Sequence, residues 1–304
     1  MREHFFHPVI FIAFALVSLA ANSPGATSAH STASRWTVVN QPGRLVNGMP
    51  VLFRVSTPRP VRKLSGDWLG HEIAFSFDAI HKSWFALAGA SLETKPGAYP
   101  IQLRAETFAG QSAGQTISFE KKIRVERQRY PRVQLKVAGR YTAPSPEDQH
   151  EIEQDKETKA DAFKTLSPDR EWKGPFAPPV NAEISAVFGV ERVFNGSIKS
   201  THQGLDFRVP NGTPVAAVNQ GRVILARPLF FEGNCVVIDH GQGLLTLYLH
   251  LSKFSVKEGD DVSKGQPIGL SGGTGRATGP HLHLAVRWQG VYLNPQVLLK
   301  LKVP

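Results

Sequence analysis

From Arg35 onward the chain consists almost wholly of short β-type runs closed by turn residues, which leaves little room for anything but sheets. Trp36–Val39, Val51–Val55, Ile73–Phe77, Tyr99–Arg104 and Ile117–Val125 follow one another, several alternating apolar with polar, and Pro42-Gly43, Asn47-Gly48 and Pro96-Gly97 mark turns. This spacing predicts a small immunoglobulin-like β-sandwich over residues 31–142. Compact β runs return after Ile184: Val215–Val218, Gly221–Ala226, Cys235–Asp239, Leu244–Leu249 and the alternating His281–Trp288. They predict a second, all-β domain over residues 180–304. Between the two, residues 143–179 change character. Ser145 suits an N-cap, Pro146 the first helical position, and Glu147 and Asp148 the positive end of a helix dipole. Ile152, Ala160 and Phe163 give only a thin apolar stripe, so a surface linker helix is expected. Trp172–Pro179 cannot continue it.

Residues 1–30 have the order of a secretory signal peptide: Arg2, the apolar run Pro8–Val17, then small residues, with Ala20 and Ala29 both suited to cleavage. The apolar run is shorter than the ~20 residues a bilayer core requires. The expectation is export, periplasmic or secreted, with no stable membrane span after processing; an uncleaved anchor is the alternative.

Charge narrows the partners. Residues 31–145 hold 17 Lys and Arg against 7 Asp and Glu, an excess equal to the whole net charge of +10. A basic surface attracts polyanions, among them acidic wall polymers and membrane surfaces. No Lys/Arg block or nucleic-acid motif accompanies the charge, so nucleic acid is not expected. A single cysteine, Cys235, excludes an internal disulfide framework and an all-cysteine zinc site.

Four of the five histidines of the second domain fall in three fragments, His202-Gln-Gly-Leu-Asp206, Tyr248-Leu-His250 and Gly279-Pro-His281-Leu-His283; the fifth, His240, sits in Asp239-His240-Gly241 at a strand end, where a turn is expected. In a strand, His281 and His283 project together while Leu282, Leu284 and Val286 face the other way; 202 and 206 also share a face if extended. Imidazole and carboxylate are what zinc accepts where thiolates are absent, and three ligands leave a position for water. Two imidazoles are left over for proton transfer near neutral pH.

Taken with Phe188-Gly-Val-Glu-Arg192-Val-Phe-Asn195-Gly196 and Thr274-Gly-Arg-Ala-Thr-Gly-Pro-His281, these fragments resemble the lysostaphin-type (LytM-like) zinc metallo-endopeptidases over about residues 180–299. That resemblance implies a compact β fold with an open groove and hydrolysis of peptide bonds in peptidoglycan. It implies His202, Asp206 and His283 as Zn2+ ligands, with His250 and His281 as the two histidines that activate water and steady the tetrahedral intermediate. Arg192 and Asn195 fall where the family's groove begins; substrate contact and, for Asn195-Gly196, a simple turn are both open. A second reading stands beside it. Relatives of this fold that have lost ligands act as non-catalytic regulators of other wall hydrolases, and here all three ligand positions are filled. The basic N-terminal region reads either as a wall-binding module or as one that covers the groove.

Two other patterns fail. His71-Glu72 lacks the second histidine of His-Glu-x-x-His. Gly269-Leu-Ser271-Gly-Gly273 matches a nucleophile elbow, yet no acidic residue follows Asp261 to complete a triad.

Overall fold

In the N-terminal half, alternation decides which face each strand buries. Strand Gly97–Thr107 buries Ile101, Leu103 and Ala105 and exposes Gln102 and Arg104 between them. It is the centre of a five-stranded sheet ordered Leu45–Val46, Thr116–Glu126, Gly97–Thr107, Val61–Trp68, His71–Ala74, in which only Leu45–Val46 pairs parallel to its neighbour. A four-stranded antiparallel sheet runs Thr37–Gln41, Pro50–Ser56, Ser83–Gly89, Ser76–Asp78. Trp68 ties the two sheets together. Its Nε1–H donates to Gly89 O at 2.8 Å, and its ring meets Phe53 edge-on at 5.2 Å. Each such fully buried side chain contributes roughly 2 kcal/mol of burial free energy. The computed structural model describes Met1 and residues 35–108, 114–164, 166–196 and 198–304; the expected leader lies outside the described residues apart from Met1.

The apolar core does not stop at the end of this half. One buried cluster runs from Val38 through Trp172 to Val303. Phe85 packs on Trp172, and His71 on Trp288. Gly89 lies so close to the C-terminal region that a Cβ there would sit 2.5 Å from Leu293 Cδ1.

The second half is built on an eight-stranded sheet. Its main path is antiparallel: Ile184–Ala186, Gly204–Phe207, Leu282–Trp288, Leu244–Leu251, Gly233–Asp239, Gly221–Leu229, Asp261–Val262. Leu282, Leu284 and Val286 point from one face into the long core, as expected from their alternation. Ala285, Leu245, Leu247, Val237 and Cys235 form a separate cluster. Partly buried Ala162, Phe163 and Leu166 pack against that cluster at the end of helix α1 (Pro146–Ala162). A smaller three-stranded sheet joins Pro214–Ala216, Pro267–Leu270 and Lys253–Phe254.

Helix α1 begins as its sequence dictates. Ser145 Oγ accepts from Asp148 N, Asp148 accepts in return from Ser145 N, and Pro146 opens the first turn. None of its residues is buried. It is nonetheless fastened to the sheet: Asp155 Oδ2 accepts from Phe230 N at 2.6 Å, and Lys159 pairs with Glu232. Strand Arg132–Leu135, within the residues expected to belong to the N-terminal module, pairs parallel with Glu191–Phe194 of the C-terminal half. Among the described residues no helix is long and apolar enough to cross a membrane.

Candidate metal centre and groove

The centre is set by the pairing of two neighbouring strands. Asp206 and His283 stand directly opposite each other in the ladder between Gly204–Phe207 and Leu282–Trp288, so their side chains leave the sheet on one face. His202, just before the first of these strands, completes the group. Its Nε2 lies 2.9 Å from Asp206 Oδ1 and 3.1 Å from His283 Nδ1, and His283 Nδ1 lies 2.7 Å from the same Oδ1. All three residues are buried.

Hydrogen bonds behind the group fix what faces inward. His202 Nδ1 is 2.7 Å from Val187 O, which can only accept, so the neutral ring carries its proton there and turns a bare Nε2 inward. Arg192 Nη2 holds Asp206 Oδ2 at 2.6 Å, leaving Oδ1 for the two imidazoles. Burial would raise the Asp206 pKa, but its bonds to His202 and His283 outweigh this and hold the carboxyl far below the usual carboxylate range. Burial lowers His283 to about 4 against the pull of Asp206. A neutral imidazole nitrogen and a carboxylate oxygen turned toward one another at hydrogen-bond distance, with a second imidazole beside them, suit a divalent cation. His202, Asp206 and His283 therefore fit a metal.

Gly204 makes the cradle possible. A Cβ at this position would lie 2.3 Å from His283 Nε2 and 2.5 Å from its Cε1. Its place between His202 and Asp206 was visible in the sequence, but its contact with a residue 79 positions away was not.

His250 and His281 stand beside the cradle. Their ring centroids are 4.8 Å apart, and His250 is 6.1 Å from His283. His250 Nδ1 lies 2.8 Å from Thr274 O, and His281 Nδ1 lies 2.8 Å from Gly279 O, so each neutral ring keeps a free Nε2 acceptor. His281 Nε2 is 3.9 Å from Asp206 Oδ1. Burial, reinforced by His283 and His281, lowers His250 to about 3. Strict alternation would send His250 to the side taken by Tyr248, whose hydroxyl accepts from Val218 N in the core. Instead its φ is +62°, a left-handed backbone for a residue with a Cβ, and both Leu249 and His250 line the groove.

Of the two candidate substrate contacts, Arg192 lines the groove through its bond to Asp206. Asn195 sits in a turn at φ +49° with its amide bonded to Val137 and Thr142. Arg276 was not singled out from the sequence. It lines both cavities that flank His250, within the Thr274–His281 segment. Ser271 of the elbow-like pattern is buried, its hydroxyl donating to Pro210 O at 2.6 Å and accepting from Thr213 N.

Residues 200–295 match the model of peptidase family M23. The chain is 41% identical over 144 residues to the peptidoglycan DD-endopeptidase ShyA of Vibrio cholerae, covering 47% of this chain and 30% of that protein. It thus spans about a third of the length of that curated relative. It is 31% identical to the catalytic domain of the prophage-encoded M23 protein EnpA from Enterococcus faecalis, covering 40% of this chain and 95% of that one, with a TM-score of 0.35. A putative peptidase M23 structure from Pseudomonas aeruginosa covers 84% of this chain and 95% of its own, at 29% identity and a TM-score of 0.62.

Proposed function

Because the chain belongs to peptidase family M23, we propose that it is an exported, zinc-dependent endopeptidase that hydrolyses peptide bonds of peptidoglycan. The observation that carries this reading is the convergence of His202, Asp206 and His283 on one buried point with His250 and His281 alongside. The first three residues would hold the metal, Arg192 and Val187 O orienting two of them. Zinc in such a site polarises a carbonyl and lowers the pKa of water.

The chain's own groups supply the rest. His250 and His281 each present Nε2 as a proton acceptor, and one ring takes the proton released as water adds to the scissile carbonyl. The protonated ring donates to the oxyanion or returns the proton to the departing amine, so the hydrolysis balances as one carboxylic acid and one amine. The N-terminal sheets, read as an immunoglobulin-like module, carry the basic excess suited to an anionic wall.

The test uses isolated cell walls. The zinc-loaded full chain is expected to release soluble peptides that a mass profile identifies, and His283→Ala to lose both zinc and release. Equal release by the chelated protein would overturn the reading.

A further inference from the structure

The groove contains a cation that, among the described residues, has aromatic neighbours and no ion-pair partner. Arg276 reaches it from the glycine-containing segment after Thr274, its backbone fixed by the bond from its N–H to Phe231 O at 2.9 Å. Its guanidinium carbon lies 4.7 Å from the Phe194 ring centroid and 4.6 Å from that of Phe231, between two aromatic walls. Among the described residues no carboxylate pairs with it, and none of its side-chain nitrogens has a hydrogen-bond partner. Of the carboxylates lining the flanking cavities, Asp206 is engaged by Arg192 and the two histidines, and Glu232 pairs with Lys159 through Oε1; the buried Glu232 Oε2 makes no hydrogen bond among the described residues, and its charge acts on Arg276 only through space. Partial burial disfavours the bare charge relative to an exposed arginine.

A planar fork held between rings, partly desolvated and open to a cavity, suits two parallel hydrogen bonds to a carboxylate. We infer that Arg276 is a specificity-determining residue that receives a carboxylate of the peptide substrate beside the scissile bond. This assignment rests on the endopeptidase reading. It makes the preferred substrate an acidic wall peptide, in contrast to one whose carboxyl groups are amidated, with Phe194 and Phe231 holding the fork flat. Arg192, the neighbouring cation, does not serve this purpose because Asp206 already occupies it.

Equilibrium binding separates this claim from catalysis. The zinc-loaded full chain is titrated calorimetrically with a wall stem tetrapeptide, which has no cross-link to cut, as the free acid and as the fully amidated form. The free acid is expected to bind at least about tenfold more tightly. Arg276→Gln should bring the two forms within about twofold while leaving the amidated peptide and zinc content unchanged. Arg276→Lys, which keeps the charge without the fork, should retain an intermediate preference and serves if the glutamine variant does not fold. Equal affinity of the wild-type chain for the two forms, or the same preference in both variants, would overturn the inference. Failure to release peptides from walls with the binding preference intact would count against the hydrolase reading alone.

Discussion

A glycine facing a proposed metal ligand is a constraint as hard as the ligand itself. His283 can face Asp206 only because position 204 carries no side chain, and a methyl group there would meet the imidazole at 2.3 Å. Gly204→Ala must therefore move the ring or the strand that carries it. Supporting positions around a metal typically change affinity by about 10–100-fold, and a chelator-competition titration of Gly204→Ala should show a loss of that order. Unchanged affinity would mean that the ring has room that the structure does not show. Arg192 acts on the other oxygen of the same carboxylate. Arg192→Met, which keeps the stem and removes the charge, leaves Asp206 Oδ2 buried and unpaired. A weaker metal site is expected by the same titration.

At the scale of elements, helix α1 and the turn at 229–233 form one unit. Asp155 accepts from Phe230 N, and the same turn carries Phe231 and Glu232 into the groove wall. Asp155→Ala should leave the helix intact and loosen the turn. Faster amide exchange at Phe230, with helical circular dichroism unchanged, is the expected outcome; unchanged exchange would show the turn held without the helix. Ser145→Ala removes one half of the capping box and should cost about 1 kcal/mol, read as a fall in denaturant midpoint. These elements also show what could be read from the sequence. The alternation of His281–Trp288 foretells the two faces of its strand, and Ser145-Pro146 foretells the start of the helix, because both signals are local. His250 breaks the alternation at a left-handed residue, so its presence beside His281 could not be derived from strand periodicity. Resemblance alone put it there. The parallel pairing of Arg132–Leu135 with Glu191–Phe194 was likewise hidden, since a strand of four residues says nothing about a partner some sixty positions away.

Across the whole molecule, the two halves share a core, and this predicts how the chain unfolds. Gly89 on Leu293, Phe85 on Trp172 and Gln289 Nε2 donating to Glu72 O join sheets that sequence patterning assigns to separate domains. Calorimetry of the full chain should give one cooperative transition; two resolved transitions would mean that the shared contacts add little. Acid should weaken this core through His240. The ring is buried with Nδ1 2.7 Å from Gln220 O and Nε2 2.7 Å from Thr246 Oγ1, and burial lowers its pKa from 6.5 to about 4. The unfolded chain takes up the proton first as the pH falls. Stability is thus full above about 6.5 and declines toward 4, by roughly 3 kcal/mol if this ring acts alone. Denaturant midpoints measured across this window should fall in that direction, and His240→Asn should make the slope shallower, leaving the part that His250 and His283 contribute.

The strand Arg132–Leu135 has one more consequence. It brings Leu135 to the cavity that also holds Asp206, His250 and His281, although it lies upstream of helix α1 and well outside residues 200–295. An excised piece bounded by those residues would keep every proposed metal ligand and forfeit one bank of the channel in which the proposed peptide substrate would lie. Grafting the family segment onto another scaffold would therefore transplant chemistry without the surface that selects what reaches it.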